Sequence, residues 1–115
     1  MESFEGKLAV VTGGGTGMGR ELVLQLAAAG CSVGACDVHV DNLAETARLA
    51  EAVAPSGTQI TTHRCDVSVE ADVLRFRDEV LAGHDTDHVH LVFNNAGVGG
   101  GGSFVAGDRA EWERT

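Results

Sequence analysis

The sequence predicts an α/β fold: a doubly wound parallel sheet whose first four strands lie in the order 3-2-1-4. Three observations point there. Short apolar, β-branched runs alternate with longer segments of helical period, in the order β-α-β-α-β-α-β-(α). A glycine-rich turn, Thr12-Gly13-Gly14-Gly15-Thr16-Gly17-Met18-Gly19, joins the first such run to the first helical segment. Polar residues, Asp37, Asp66 and Asn95, fall at or just past the carboxyl ends of successive strands. Right-handed crossovers between parallel strands then leave a cleft between the first and fourth.

Lys7 to Thr12 is continuously apolar until its end, as expected of a strand buried on both faces. Met18 to Ala29 carries apolar residues on nearly all sides, which predicts a buried helix, with Gly30 as its stop. Cys31 to Val38 forms a second strand ending near Asp37. Asp41 or Asn42 can cap the second helix, since Asn42 with Glu45 resembles a capping box, and Leu43, Ala47, Ala50 and Ala54 make one apolar stripe before Pro55-Ser56-Gly57. Thr58 to Cys65 is β-branched and loosely alternating, a strand nearer the sheet edge. Ser68 is a natural cap for a third helix, with Glu70 and Asp72 in its first turn, Val69, Val73, Phe76 and Val80 along one face, and Gly83 at its end. His88 to Asn95 gives the fourth strand, and Asp108 to Thr115 starts a fourth helix in which Trp112 packs.

Composition narrows the function. The 115 residues, 43% of them apolar, suffice for one globular domain, and the formal charge of -9 with no basic cluster argues against nucleic acid or an anionic membrane as partner. Acids in the first seven residues and the lack of a long apolar run predict a cytoplasmic protein. Cys31, Cys36 and Cys65 are odd in number and lack Cys-x-x-Cys spacing, so free buried thiols are expected. His63, His84, His88 and His90 invite a metal reading, but no cysteine or carboxylate completes a ligand set nearby, and no metal site is predicted.

Glycines crowd the first turn because a sharp strand-to-helix reversal favours residues without Cβ, and because a phosphate can then lie on main-chain N–H groups. A Walker-type loop is excluded, since Gly19 is followed by Arg20 and Glu21 rather than Lys-Ser/Thr. The commoner dinucleotide fingerprint also fails, because counting from Gly13 places Met18 at its sixth position. The spacing that fits is Thr-Gly-x-x-x-Gly-x-Gly, with Gly13, Gly17 and Gly19.

Thr12-Gly13 with Gly17 and Gly19, Asp37, the pair Asp66-Val67, and Asn94-Asn95-Ala96-Gly97 together resemble the short-chain dehydrogenase/reductase family, over essentially the whole chain. The resemblance implies a Rossmann-type fold with a nicotinamide dinucleotide across the carboxyl ends of the strands. Gly13, Gly17 and Gly19 would admit the pyrophosphate, with Thr16 and Met18 lining it. Asp66 and Val67 would meet the adenine, and Asn95, Ala96 and Gly97 would lie beside the nicotinamide ribose, while Asn94 ties strands together. A carboxylate at Asp37 suits ribose hydroxyls and repels a 2′-phosphate, so NAD is favoured over NADP, with Arg20 the nearby cation that could oppose that choice. The implied activity is hydride transfer between NAD and a small alcohol or carbonyl substrate, in a homo-oligomer.

The departure from the family lies in the catalytic pair. Its members use a tyrosine and a lysine four residues on, but this chain has no tyrosine, and its one lysine is Lys7. The expectation is therefore the amino-terminal portion of such an enzyme, a dinucleotide-binding domain over 1–115 that is incomplete at its carboxyl end and inert alone. Plainer readings stand beside the functional ones: a ligand-free turn at the glycines, a strand-end or helix-cap role for Asp37, a turn-starting role for Asp66, and strand-to-strand bonding for Asn94 and Asn95.

Overall fold

The computed structural model describes residues 4–95. They form β1 (Leu8–Thr12), α1 (Gly17–Ala28), β2 (Ser32–Asp37), α2 (Val40–Val53), β3 (Ile60–Arg64), α3 (Glu70–Gly83) and β4 (Leu91–Asn94). The strands build one parallel sheet in the order β3-β2-β1-β4, as the element order predicts. Expectations for Ala96, Gly97 and the helix around Trp112 lie outside the described residues.

All five residues of β1 are buried, the physical meaning of its unbroken apolar run. Their side chains alternate between two cores. Leu8 and Val10 join Cys36, Cys65, Val73, Phe76, Val80 and Val89 on the α3 face. Ala9 and Val11 join Val23, Leu26, Ala27, Val33, Leu43 and Ala50 on the α1 and α2 face. Helices on both faces of a parallel sheet make the winding double, and they bring every strand's carboxyl end to the same edge.

Gly30 ends α1 as expected, at φ +86°, with Gly30 N–H donating to Ala27 O (3.0 Å) and Cys31 N–H to Leu26 O (3.0 Å). Other boundaries differ. Helix α1 is buried on one face only: Val23, Leu26 and Ala27 point inward, whereas Met18 is 80% exposed and Leu22 and Leu24 are half-buried. Helix α2 starts at Val40, ahead of Asn42, and makes no side-chain cap of its own. Its entry is held instead by Asp37, whose Oδ1 accepts the His39 N–H at 3.2 Å. Helix α3 likewise starts after Ser68, at Glu70, because Asp66 Oδ1 already accepts both the Ser68 N–H (3.0 Å) and its hydroxyl (2.6 Å). Val69 is consequently exposed, and the inward stripe runs through Val73, Phe76, Val80 and Leu81.

Gly83 is the last residue of α3, yet the reversal falls at Asp85, with φ +54°. Asp85 N–H donates to Ala82 O and Thr86 N–H to Leu81 O, so an aspartate fills the left-handed position that glycine usually takes. Strand β4 is shorter than the expected His88 to Asn95, starting at Leu91 with His90 just ahead of it. The ring Nδ1 of His90 accepts the Leu8 N–H at 3.1 Å while His90 N–H donates to Leu8 O at 2.9 Å.

Candidate dinucleotide site

The glycine turn is built by three strands converging on it. Thr12, fully buried at the end of β1, donates its hydroxyl to Asn94 Oδ1 (3.1 Å) and accepts the Asn95 N–H (3.0 Å), fastening β1 to β4. Gly13 then turns with φ +69°, and Gly14 N–H donates to Cys36 O at 2.9 Å, extending the ladder to β2. Gly15 N–H donates to Asp37 Oδ2 at 3.0 Å.

At Gly19 the missing side chain is a packing requirement. A Cβ there would overlap the Gly13 carbonyl oxygen and stand 2.9 Å from Asn95 Nδ2, so α1 can descend onto the turn only through glycine. Gly17, at φ +59°, starts that helix from the left-handed region. Thr16 precedes it in an extended conformation and makes no side-chain cap bond, so the first N–H groups of α1 have no side-chain oxygen from their own cap. Thr16, Gly17 and Met18 are exposed along this rim.

Beside the turn lies a cleft of about 220 Å³ lined by Gly13, Asp37, Val38, Cys65, Asp66 and Val67. The carboxyl ends of β1, β2 and β3 thus bring together four residues that the sequence singles out, Gly13, Asp37, Asp66 and Val67. Asn95 reaches the turn from β4, its Nδ2 lying 3.4 Å from Gly13 O. A larger depression of about 530 Å³, lined by Leu81, Ala82, Asp85, Thr86 and Asp87, lies by the carboxyl end of α3 and contains none of the motif residues.

The profile of short chain dehydrogenases matches residues 7–115. The chain belongs to that family. It is 42% identical over 114 residues to SadH of Mycobacterium tuberculosis, a match covering 99% of this chain and 40% of SadH. A Burkholderia phymatum short chain dehydrogenase/reductase solved in complex with NAD is 39% identical, with a TM-score of 0.75 over 86% of this chain and 34% of that one. A metagenomic short-chain oxidoreductase solved with NADP is 33% identical, with a TM-score of 0.73 over 85% and 42%. The chain spans about two-fifths of the length of its curated relative, and its structural neighbours include binders of either dinucleotide.

In this short-chain dehydrogenase chain both strand-end aspartates also hold local backbone. The Ser68 hydroxyl and N–H keep the Asp66 carboxyl below the ordinary carboxylate range, and the Asp66 N–H does the same for Asp72, whose Oδ2 accepts it at 3.0 Å. All three cysteines are free and buried. Burial pushes the Cys31 thiol up to about 11. Cys36 is raised further by its hydrogen bond to Cys65 and by burial, while the same bond lowers Cys65. Among the described residues, no group of three or more His, Cys, Asp or Glu side chains is placed to hold a metal, and no helix is long and apolar enough to cross a membrane.

Sequence reasoning missed Thr46, which is fully buried among apolar neighbours on α2. Its hydroxyl lies 2.8 Å from Gly14 O and 3.3 Å from Gly15 O, and it accepts the Arg20 Nε–H at 2.8 Å. Arg20 also donates from Nη2 to Asn42 O at 3.1 Å. The available signal was its spacing: Leu43, Thr46 and Ala50 share one helical face, and they are the buried residues of α2.

Proposed function

We propose that the protein is an NAD-dependent oxidoreductase acting on a small alcohol or carbonyl compound, with this chain supplying the dinucleotide-binding domain. The observation carrying the reading is the convergence of Gly13, Asp37, Asp66 and Val67 on one cleft beside the open start of α1. The residues fit such a cofactor: Gly13 and Gly17 turn through positive φ, Gly19 lets α1 close onto the turn, and the N–H groups at the start of α1 suit a pyrophosphate. Asp37 would accept the adenosine ribose hydroxyls. Each of its oxygens already takes one backbone N–H, from Gly15 or His39, and each retains acceptor capacity. Asp66 and Val67 would meet the adenine, and Asn95, with Ala96 and Gly97, the nicotinamide-side ribose. Bound there, the nicotinamide would accept or deliver a hydride.

The preference for NAD over NADP rests on charge. A 2′-phosphate would face the Asp37 carboxylate, and Arg20, one residue past the turn, already donates to Thr46 and Asn42. Calorimetric titration of the intact protein should show NADH binding well ahead of NADPH. No NADH binding at high micromolar ligand would sink the dinucleotide reading, and equal affinities would sink the preference. In the same reading the intact protein is a cytoplasmic homo-oligomer.

A second reading is favoured by one feature of the sequence. The chain has no tyrosine, and Lys7 lies beside the start of β1, at the opposite end of the strand from the cleft. Residues 1–115 alone would then bind dinucleotide without turnover. Oxidation of any alcohol by this chain above a blank would contradict it.

A further inference from the structure

The peptide unit between Gly14 and Gly15 is gripped at both ends. Its carbonyl, Gly14 O, accepts from the buried Thr46 hydroxyl at 2.8 Å, and its N–H, that of Gly15, donates to Asp37 Oδ2 at 3.0 Å. In a trans peptide these two groups point in opposite directions, so the unit is a spoke between α2 and the end of β2. Flanking glycines impose little steric resistance to rotating that unit. Rotation would turn a carbonyl oxygen toward the Asp37 carboxylate and remove the donor that holds it.

The direction of the Thr46 proton is also fixed. Arginine can only donate, so the Arg20 Nε–H at 2.8 Å occupies the hydroxyl oxygen as acceptor, and the hydroxyl proton must go to the turn. Of the two turn carbonyls in reach, Gly14 O at 2.8 Å is the nearer and Gly15 O, at 3.3 Å, the farther. Gly15 is equally constrained: a Cβ there would stand 2.7 Å from Asp37 Oδ2 and 2.9 Å from Asn42 Cβ, so the aspartate, the turn and α2 touch at one point.

We propose that Thr46 is a positioning residue for cofactor discrimination: through the Gly14–Gly15 peptide it orients Asp37, and by engaging Arg20 it keeps the guanidinium from a 2′-phosphate. The inference rests on the dinucleotide reading above and adds a residue on a different helix from the glycine motif. Thr46 touches no cofactor in this account. It acts through backbone it holds in place.

The test measures dissociation constants for NADH and NADPH in the intact protein, its Thr46→Val and Thr46→Ser variants, and Arg20→Met. Valine keeps the shape and removes the hydroxyl. We expect Thr46→Val to lower the NADPH-to-NADH ratio of dissociation constants by about tenfold, the worth of one hydrogen bond to a charged group. Serine should restore the wild-type ratio, which a purely structural role for the threonine methyl would not do. Should the valine variant fail to fold, Arg20→Met at its partly exposed site carries the test: NADH should weaken severalfold because the hydroxyl proton is no longer directed, while NADPH should not improve because the cation is gone. A ratio unchanged in the folded variants, even with a lower thermal midpoint, overturns the proposal while leaving the dinucleotide reading intact. Wild-type protein that binds neither nucleotide overturns both.

Discussion

Replacing Gly19 by alanine isolates the contact on which the site depends. The added methyl would overlap the Gly13 carbonyl oxygen, lie 2.7 Å from the Gly13 carbonyl carbon, and stand 2.9 Å from Asn95 Nδ2. Two of those three neighbours are backbone, so no rotamer change relieves the clash and α1 must lift from the turn. Overpacking of this kind costs about 1–3 kcal/mol, and a collision with main chain belongs at the upper end. Alanine's advantage over glycine in a helix returns at most about 1 kcal/mol. The net expectation is a loss of about 2 kcal/mol in urea unfolding of the intact protein, with weaker NADH binding. The same exchange at Gly83 is the control. There the Cβ would meet only Thr61 Cγ2 at 3.8 Å, an ordinary contact, so Gly83→Ala should be neutral or stabilising by up to about 1 kcal/mol. If Gly19→Ala unfolds at the same urea concentration as Gly83→Ala, the close approach of helix and turn is not what the glycine serves.

Three further outcomes follow from individual contacts. Asp37→Ala should weaken NADH by about tenfold or more and NADPH by less, because hydrogen bonds to a charged acceptor are worth about 1.5–3 kcal/mol; equal losses in titration would mean that Asp37 does not read the ribose. In β2, a Cβ at Gly34 would press on both Val80 methyls at 2.8 and 3.0 Å, so Gly34→Ala should cost about 1–3 kcal/mol, and a Gly34→Ala/Val80→Ala cycle should show a coupling above about 0.5 kcal/mol; strict additivity would refute the packing. His84, bonded through Nε2 to Thr61 Oγ1 at 2.7 Å, is lowered from 6.5 to about 4, first by burial and then by the charge of His63. The unfolded chain then binds the extra proton first, so this group's stabilisation is complete above about pH 6.5 and is lost as pH falls toward 4, a slope that His84→Gln should flatten; denaturation midpoints with identical pH dependence in both proteins would count against it.

The features legible in the sequence were those set by burial and by backbone sterics. Leu8 to Thr12 could only be an interior strand, and the alternation of its side chains between two cores needs nothing beyond the pleat. The glycine spacing likewise announced a sharp turn, though not that Gly19 packs against the Gly13 carbonyl. What stayed hidden was polar pairing across the fold. Thr46 looks like a weak helix former in an apolar stripe until the Gly14 carbonyl is brought to it. Asp85 takes the left-handed corner after α3 because its neighbours demand a reversal two residues beyond the glycine that seemed to supply one. His90, just ahead of β4, offers a ring nitrogen to the Leu8 N–H, a bond between residues far apart in sequence.

The two misplaced helix starts share one cause, and it bears on the site. Asn42 and Ser68 were reasonable caps by residue type, but in each case an aspartate at the end of the preceding strand reached the entering backbone first. Asp37 holds His39 and Gly15; Asp66 holds Ser68. A carboxylate bonded in this way cannot swing freely about χ1, so the bonds that open the helix also fix the direction in which the remaining lone pairs face. Both aspartates line the same cleft. In the proposed dinucleotide reading the local role and the binding role are successive uses of one geometry: the turn orients the charge before any ligand arrives, and a ligand that accepts that orientation need not meet the entropy of ordering it. Replacing either aspartate by alanine should consequently disturb the helix entry and the cleft together, whereas asparagine at Asp66, where Oδ1 alone takes both Ser68 bonds, should spare the entry and remove the charge. A structure of Asp66→Asn with an unmoved Ser68, together with weakened NADH binding, would separate the two uses.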